Sequence, residues 1–363
     1  MAHGAGRTTL RATNAMKTPG DESDETGEPT DPRLDRAWQL LEAGDVAAAR
    51  RAIAPLEQES PEVLLALAAC CREEDDTTQA MAILRRAAAA DPEWAVPEMW
   101  LAEILITEPD AAPQALRHAT RALDLAEDEG DYLSAVALKA GIELELGEPD
   151  DARKTLAELP PPEVALEDLD TTLEIADLHL ALGEAALARA RLRTLTAAHP
   201  EAADAWHALG CAASELNDER EMREAWKRTW TLDTAPGATG GDERLSEDEI
   251  AAVSEAAFEE LPARARALLE GVPIVIGEQP AEADVDAGFD PRALGLFSGT
   301  AYPDESSLGG QPGLTQIVLF RRCLERVAGS EDELREEIRT TLLHETGHFF
   351  GMDDADLEEV GLG

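Results

Sequence analysis

From Pro32 to about Asp233, apolar residues return every three or four positions, with acidic and basic residues between them and short Gly or Pro interruptions. That spacing puts the apolar groups on one face of an α-helix, and no strand-like alternation occurs. The segment therefore predicts a stack of helices. They come in pairs: "LDRAWQLLEAGDVAAARRAIAPL" reads as a helix, a turn at Gly44-Asp45 and a second helix, and the same grammar returns around Gly183 and Asn217. A helix pair leaves an apolar face that the next pair covers, so such a stack grows as a curved solenoid. Trp38, Trp94, Trp100, Trp206, Trp226 and Trp230 are expected to fill its interfaces.

The turns at Gly183 and Asn217 are 34 residues apart, the length of one tetratricopeptide repeat. In the last copy, Trp206, Leu209, Gly210 and Trp226 stand at that repeat's large-apolar, Leu, Gly and aromatic positions. In the copy before it, Ala188, Leu192 and Pro200 fall where Ala, an apolar residue and the terminal Pro belong. The segment 32–234 thus resembles tetratricopeptide repeats, although the interval from Gly44 to Gly147 fits only loosely and fixes no repeat count.

The pattern changes after "APGATGGDE" (235–243), which breaks the helical register and reads as a linker. Residues 244–363 then predict a small α+β domain. "LSEDEIAAVSEAAFEELP" is a helix opened by a Ser246/Glu249 capping box. The β-branched run Val272 to Glu278 predicts a strand, as does "TQIVLFRR" (Thr315 to Arg322), and a short third one is expected near Leu296-Phe297. A second capping box, Ser330/Glu333, opens a helix that runs through Ile338 and Leu342 into two histidines. At the other end, residues 1–31 are acidic and rich in Gly and Pro, and are expected to form a disordered arm. The fold class is therefore multidomain: an all-α solenoid followed by a small α+β domain.

Charge narrows the partners. The 76 acids against 31 bases give a formal charge of -45, a surface that repels nucleic acid and anionic membranes and suits basic partners. No apolar run is long enough for a membrane helix. Cys70, Cys71, Cys211 and Cys323 form no CxxC and no disulfide ladder, which fits a reduced, cytoplasmic chain.

The chemistry lies in "LLHETGHFFGMDDADLEEVGLG" (342–363). His344 and His348, four apart on a helix, can offer two imidazole nitrogens to one ion, and Glu345 points about 100° around the axis, beside it. This is the HExxH spacing of zinc hydrolases. Gly351 can end the helix in a left-handed conformation and turn the chain back. Asp354, six residues after His348, is then the third ligand chosen by spacing; Asp353 and Asp356 compete for that place, and Glu358 and Glu359 are weaker candidates.

With "GLFSG" (Gly295 to Gly299) and "IVLFRR" ahead of this finish, the segment from about Leu245 to Gly363 resembles the small bacterial zincin-like metallopeptidase family. The resemblance implies a minimal zincin fold with Zn2+ on His344, His348 and Asp354 and with Glu345 as the catalytic glutamate. It implies hydrolysis of peptide bonds through a zinc-bound water. The metzincin pattern is similar but uses a third His and a Met-turn further on; Met352 lies inside the motif and is not that turn. An extended substrate is expected to pair with the strand Thr315 to Phe320, and Tyr302 is a conceivable oxyanion donor. The expected partners are a protein or peptide substrate and a protein bound by the repeats. The alternative is a non-proteolytic repeat scaffold whose zincin-like domain binds metal for stability.

Overall fold

The structure, a computed structural model, describes residues 31–57, 59–236, 244–299 and 315–352. The expected arm lies outside them apart from Asp31, as do residues 237–243 of the expected linker. The chain divides into two compact units, one within residues 10–195 and one carried by residues 196–363.

The first unit holds helices α1 (Pro32–Glu42), α2 (Val46–Ile53), α3 (Pro61–Glu73), α4 (Thr77–Ala90), α5 (Val96–Thr107), α6 (Ala112–Leu125), α7 (Glu129–Glu145), α8 (Pro149–Leu156), α9 (Leu169–Ala181) and all but the last turn of α10 (Ala185–Ala198). The second opens with α11 (Ala203–Glu215) and α12 (Glu219–Asp233). Successive helices form hairpins, and each hairpin turns on one residue with positive φ: Gly44, Asp75, Asp110, Gly147, Gly183 and Asn217. At all of these except Asp110, the left-handed residue donates its N–H three residues back and the next residue donates five residues back. This closure satisfies the last carbonyls of the first helix. Asp45, Asp76 and Asp218, each the residue after the turn, then accept the third N–H of the following helix at 2.9, 2.9 and 3.2 Å. Six hairpins result among the described residues, two more than the sequence made visible, because aspartate stands at the left-handed position in two of them.

Large and small side chains interlock between the helices. Trp38 meets Trp100 edge-on with ring centroids 6.4 Å apart inside the first unit's core. Trp226 is fully buried against α11 at Gly210, where a Cβ would lie 2.1 Å from its Cδ1. A methyl there cannot be absorbed without moving the ring. Gly210→Ala is accordingly expected to lower stability by about 1–3 kcal/mol, measured as a lower urea midpoint of the full chain.

The remainder of the second unit is a small α+β domain: α13 (Glu247–Glu260), α14 (Ala263–Leu269), β1 (Ile274–Gly277), α15 (Glu282–Asp286), β2 (Gly295–Ser298), β3 (Gln316–Phe320), α16 (Arg321–Val327) and α17 (Glu331–Phe349). The sheet order among the described residues is β1-β3-β2, with β1 parallel and β2 antiparallel to β3. Leu334, Ile338 and Leu342 form the apolar stripe of α17 and pack with Ile317 and Leu319 of β3 and with Ile250 and Ala257 of α13.

Three details differ from the sequence reading. The strand expected to reach Arg322 ends at Phe320, and Arg321 and Arg322 begin α16. At the start of α17, Ser330 caps the Glu333 N–H at 3.2 Å, but the Glu333 carboxylate reaches back to Gly329 N at 2.6 Å, so the box is not reciprocal as it is at Ser246/Glu249. Finally, β3 is the central strand with both edges paired. The segment Thr315 to Phe320 therefore has no edge for a substrate, and the expected pairing there is corrected.

Helices α11 and α12 pack on the domain within the same compact unit. Met222 and Trp226 of α12 cluster with Val285 of α15, and Trp230 Nε1 donates to Pro280 O at 3.0 Å. Below them Arg292 forks onto Asp233, at 2.8 Å from Nε and 3.1 Å from Nη2, and reaches Asp204 at 2.5 Å. Burial works against the Arg292 charge, and the Asp233 and Asp204 carboxylates outweigh it, holding the guanidinium above its ordinary range.

Candidate metal centre

The α17 stripe of Leu334, Ile338 and Leu342 continues one turn on at Glu345 and then Phe349, so the glutamate occupies a core-facing position. A buried carboxylate requires a hydrogen-bond partner. It has one in the sheet: Phe297 of β2 donates its backbone N–H to Glu345 Oε2 at 2.6 Å. The strand register explains the aim. Phe320 N bonds Leu294 O at 2.8 Å, so by antiparallel alternation the N–H of Phe297 points to the outer edge of β2. Close approach also needs a residue without a side chain. A Cβ on Gly295 would come within 2.8 Å of Thr341 Cγ2 and 3.0 Å of Glu345 Cγ.

His344 and His348 flank Glu345 on the half-buried side of α17, with their Nε2 atoms 3.0 Å apart. The helix ends just beyond them. Gly351 takes φ 79°, its N–H reaches His348 O and the Met352 N–H reaches Gly347 O. That reversal lays the Met352 carbonyl 3.1 Å from His348 Nδ1. A carbonyl only accepts, so Nδ1 is the donating nitrogen, and Nε2 is the one left to face an ion.

The residues present fit a divalent zinc-class ion. Two nitrogens bound at about 2.0–2.1 Å in a tetrahedron stand about 3.3 Å apart, close to the observed 3.0 Å. One ring is oriented by a backbone acceptor, as metal-ligating imidazoles generally are. Asp354, with its competitors Asp353, Asp356, Glu358 and Glu359, lies outside the described residues, and so does Tyr302. Sequence reasoning missed the backbone N–H of Phe297, because a main-chain donor leaves no residue signature; the glycine at 295 inside "GLFSG" was the available sign of a close approach.

A helical repeat region followed by a small α+β domain with a His-Glu-His helix is thus the architecture of the chain. Within the C-terminal part, residues 269–362 match the family model of the zincin-like metallopeptidases. Similar solved structures include a widely conserved type IV pilus biogenesis factor, PilW, at 15% identity and TM-score 0.43, covering 59% of this chain and 97% of that one. Another is Pseudomonas aeruginosa pilF, at 16% identity and TM-score 0.42, covering 57% and 92%. A thermophilic TPR protein of Thermus thermophilus is similar at 21% identity and TM-score 0.40, covering 51% and 98%. No curated protein matches the chain.

Proposed function

We propose that this chain is a zinc-dependent peptidase whose helical repeats bind a protein partner or recruit the substrate. The observation that carries the reading is the Glu345 carboxylate, buried on the core-facing stripe beside two convergent imidazoles and held by a strand β2 N–H. A metal site kept only for stability has no use for a buried carboxylate placed beside the ligands rather than among them.

His344, His348 and Asp354 would hold the ion. When bound, zinc supplies Lewis acidity, lowering the pKa of water and polarising a carbonyl. Glu345 takes the proton of the attacking water and returns it to the leaving nitrogen. The Phe297 N–H fixes Oε2 and so fixes the direction of the other carboxylate oxygen.

A basic partner segment would suit the repeats, since the chain carries 76 acids against 31 bases. The four cysteines are free, in keeping with a reducing, cytoplasmic setting. No described helix is long and apolar enough to cross a membrane.

Dialysing the full chain against a chelator is expected to abolish cleavage of a peptide library, and added Zn2+ to restore it. Cleavage unaffected by metal removal would refute the reading. Tightly bound zinc without cleavage of any library peptide, even by the fully loaded chain, would favour the scaffold.

A further inference from the structure

We propose that His207, Cys211 and Asp290 form a second metal site, separate from α17, that takes a zinc-class transition ion and ties helix α11 to the loop preceding β2. His207 and Cys211 are four apart on α11, so imidazole and thiol share a face. Asp290 meets them from the loop between α15 and β2. His207 Nε2 lies 2.9 Å from Asp290 Oδ1 and 4.0 Å from Cys211 Sγ, and the three donor atoms fall within 4.8 Å of one another. Nitrogen, sulfur and oxygen ligands around a tetrahedral zinc stand about 3.3–3.6 Å apart. The observed 2.9 and 4.0 Å lie on either side of that range.

The donor chemistry selects the ion. A thiolate excludes calcium and magnesium, which take oxygen ligands, and imidazole with thiolate suits zinc. One thiolate and one carboxylate would neutralise a divalent charge, and all three side chains are half-buried rather than sealed in the core. Asp290 is also oriented from outside the cluster. Its Oδ1 accepts the Arg292 N–H at 2.8 Å, and the Arg292 side chain is locked by Asp204 and Asp233. The nearby Cys323 takes no part, since its thiol is buried, is pushed up to about 12 by that burial, and faces Pro291 O at 3.7 Å. The ligands come from the last repeat hairpin and from the zincin-like domain, so the ion would cross-link two elements remote in sequence. This site stands whether or not the α17 centre is a peptidase.

The test uses the full-length chain carrying His344→Ala and His348→Ala, which lacks the α17 imidazoles. Loaded with Zn2+ and dialysed, it is expected to keep one equivalent. Loaded with Co2+, it is expected to show a sulfur-to-cobalt charge-transfer absorption that the α17 residues, having no sulfur ligand, cannot produce. Adding Cys211→Ser, a near-isosteric change at a half-buried position, should remove both signals while the circular dichroism spectrum stays unchanged. In the otherwise native chain, Cys211→Ser should lower the zinc content from two equivalents to one. No metal on the double variant, or a cobalt spectrum insensitive to Cys211→Ser, would overturn the proposal and leave His207 and Asp290 as an ion pair.

Discussion

Replacing Glu345 with glutamine is expected to reduce peptide cleavage by roughly 10²–10⁴-fold, the usual contribution of a positioned general base, while zinc content stays at the wild-type level. Glutamine is the discriminating choice because its amide oxygen can still accept the Phe297 N–H that Glu345 Oε2 now accepts at 2.6 Å. The buried position remains filled and hydrogen-bonded, so fold and ligand geometry are preserved. Only the capacity to take a proton is lost. Cleavage rates and zinc stoichiometry measured on the same preparations check this. A variant that cleaves at the wild-type rate would remove Glu345 from the chemistry, and one that loses zinc would reassign it as a ligand.

The second large effect is structural. Asp233→Ala is expected to destabilise the unit carried by residues 196–363 by about 3–5 kcal/mol, the cost of leaving a buried charge without its partner. Asp233 sits in the last turn of α12, where the helix dipole disfavours an acid. It is held there by Arg292 and by Arg326, whose Nη2 is 3.0 Å from Oδ1, and its carbonyl accepts from Arg322 Nη2 at 3.3 Å. Removing the carboxylate leaves both Arg292 and Arg326 with only the more exposed Asp204 among the carboxylates of this cluster. Hydrogen exchange at β3 and α16 amides should accelerate roughly a hundred- to several-thousandfold. Unchanged exchange would show that the cluster counts no more than a surface ion pair, about 0–1 kcal/mol.

Much of this was legible in the chain because the signals were local. The three-to-four spacing of leucine and alanine announced the helices, and the histidine pair with its intervening glutamate announced the candidate site. Where the reading fell short, the deciding physics was conformational or non-local. Asp75 and Asp110 adopt a left-handed backbone usually given to glycine, so two hairpins carried no turn signature. The β-branched run before Arg321 and Arg322 gave no reason to stop at Phe320, since strand and helix meet there without a breaker. That β3 is central follows from pairing with segments about 20 and 40 residues away, which no periodicity encodes. Likewise the partner of Glu345 is a main-chain group 48 residues earlier, invisible to a search for side chains.

The missing side chain at Gly295 brings strand β2 and helix α17 so close that nothing soft lies between them. A single short hydrogen bond therefore makes the sheet edge and the carboxylate one mechanical element. Any shift of Phe297 is passed directly to the Glu345 carboxylate, with no side chain at position 295 to take up the movement.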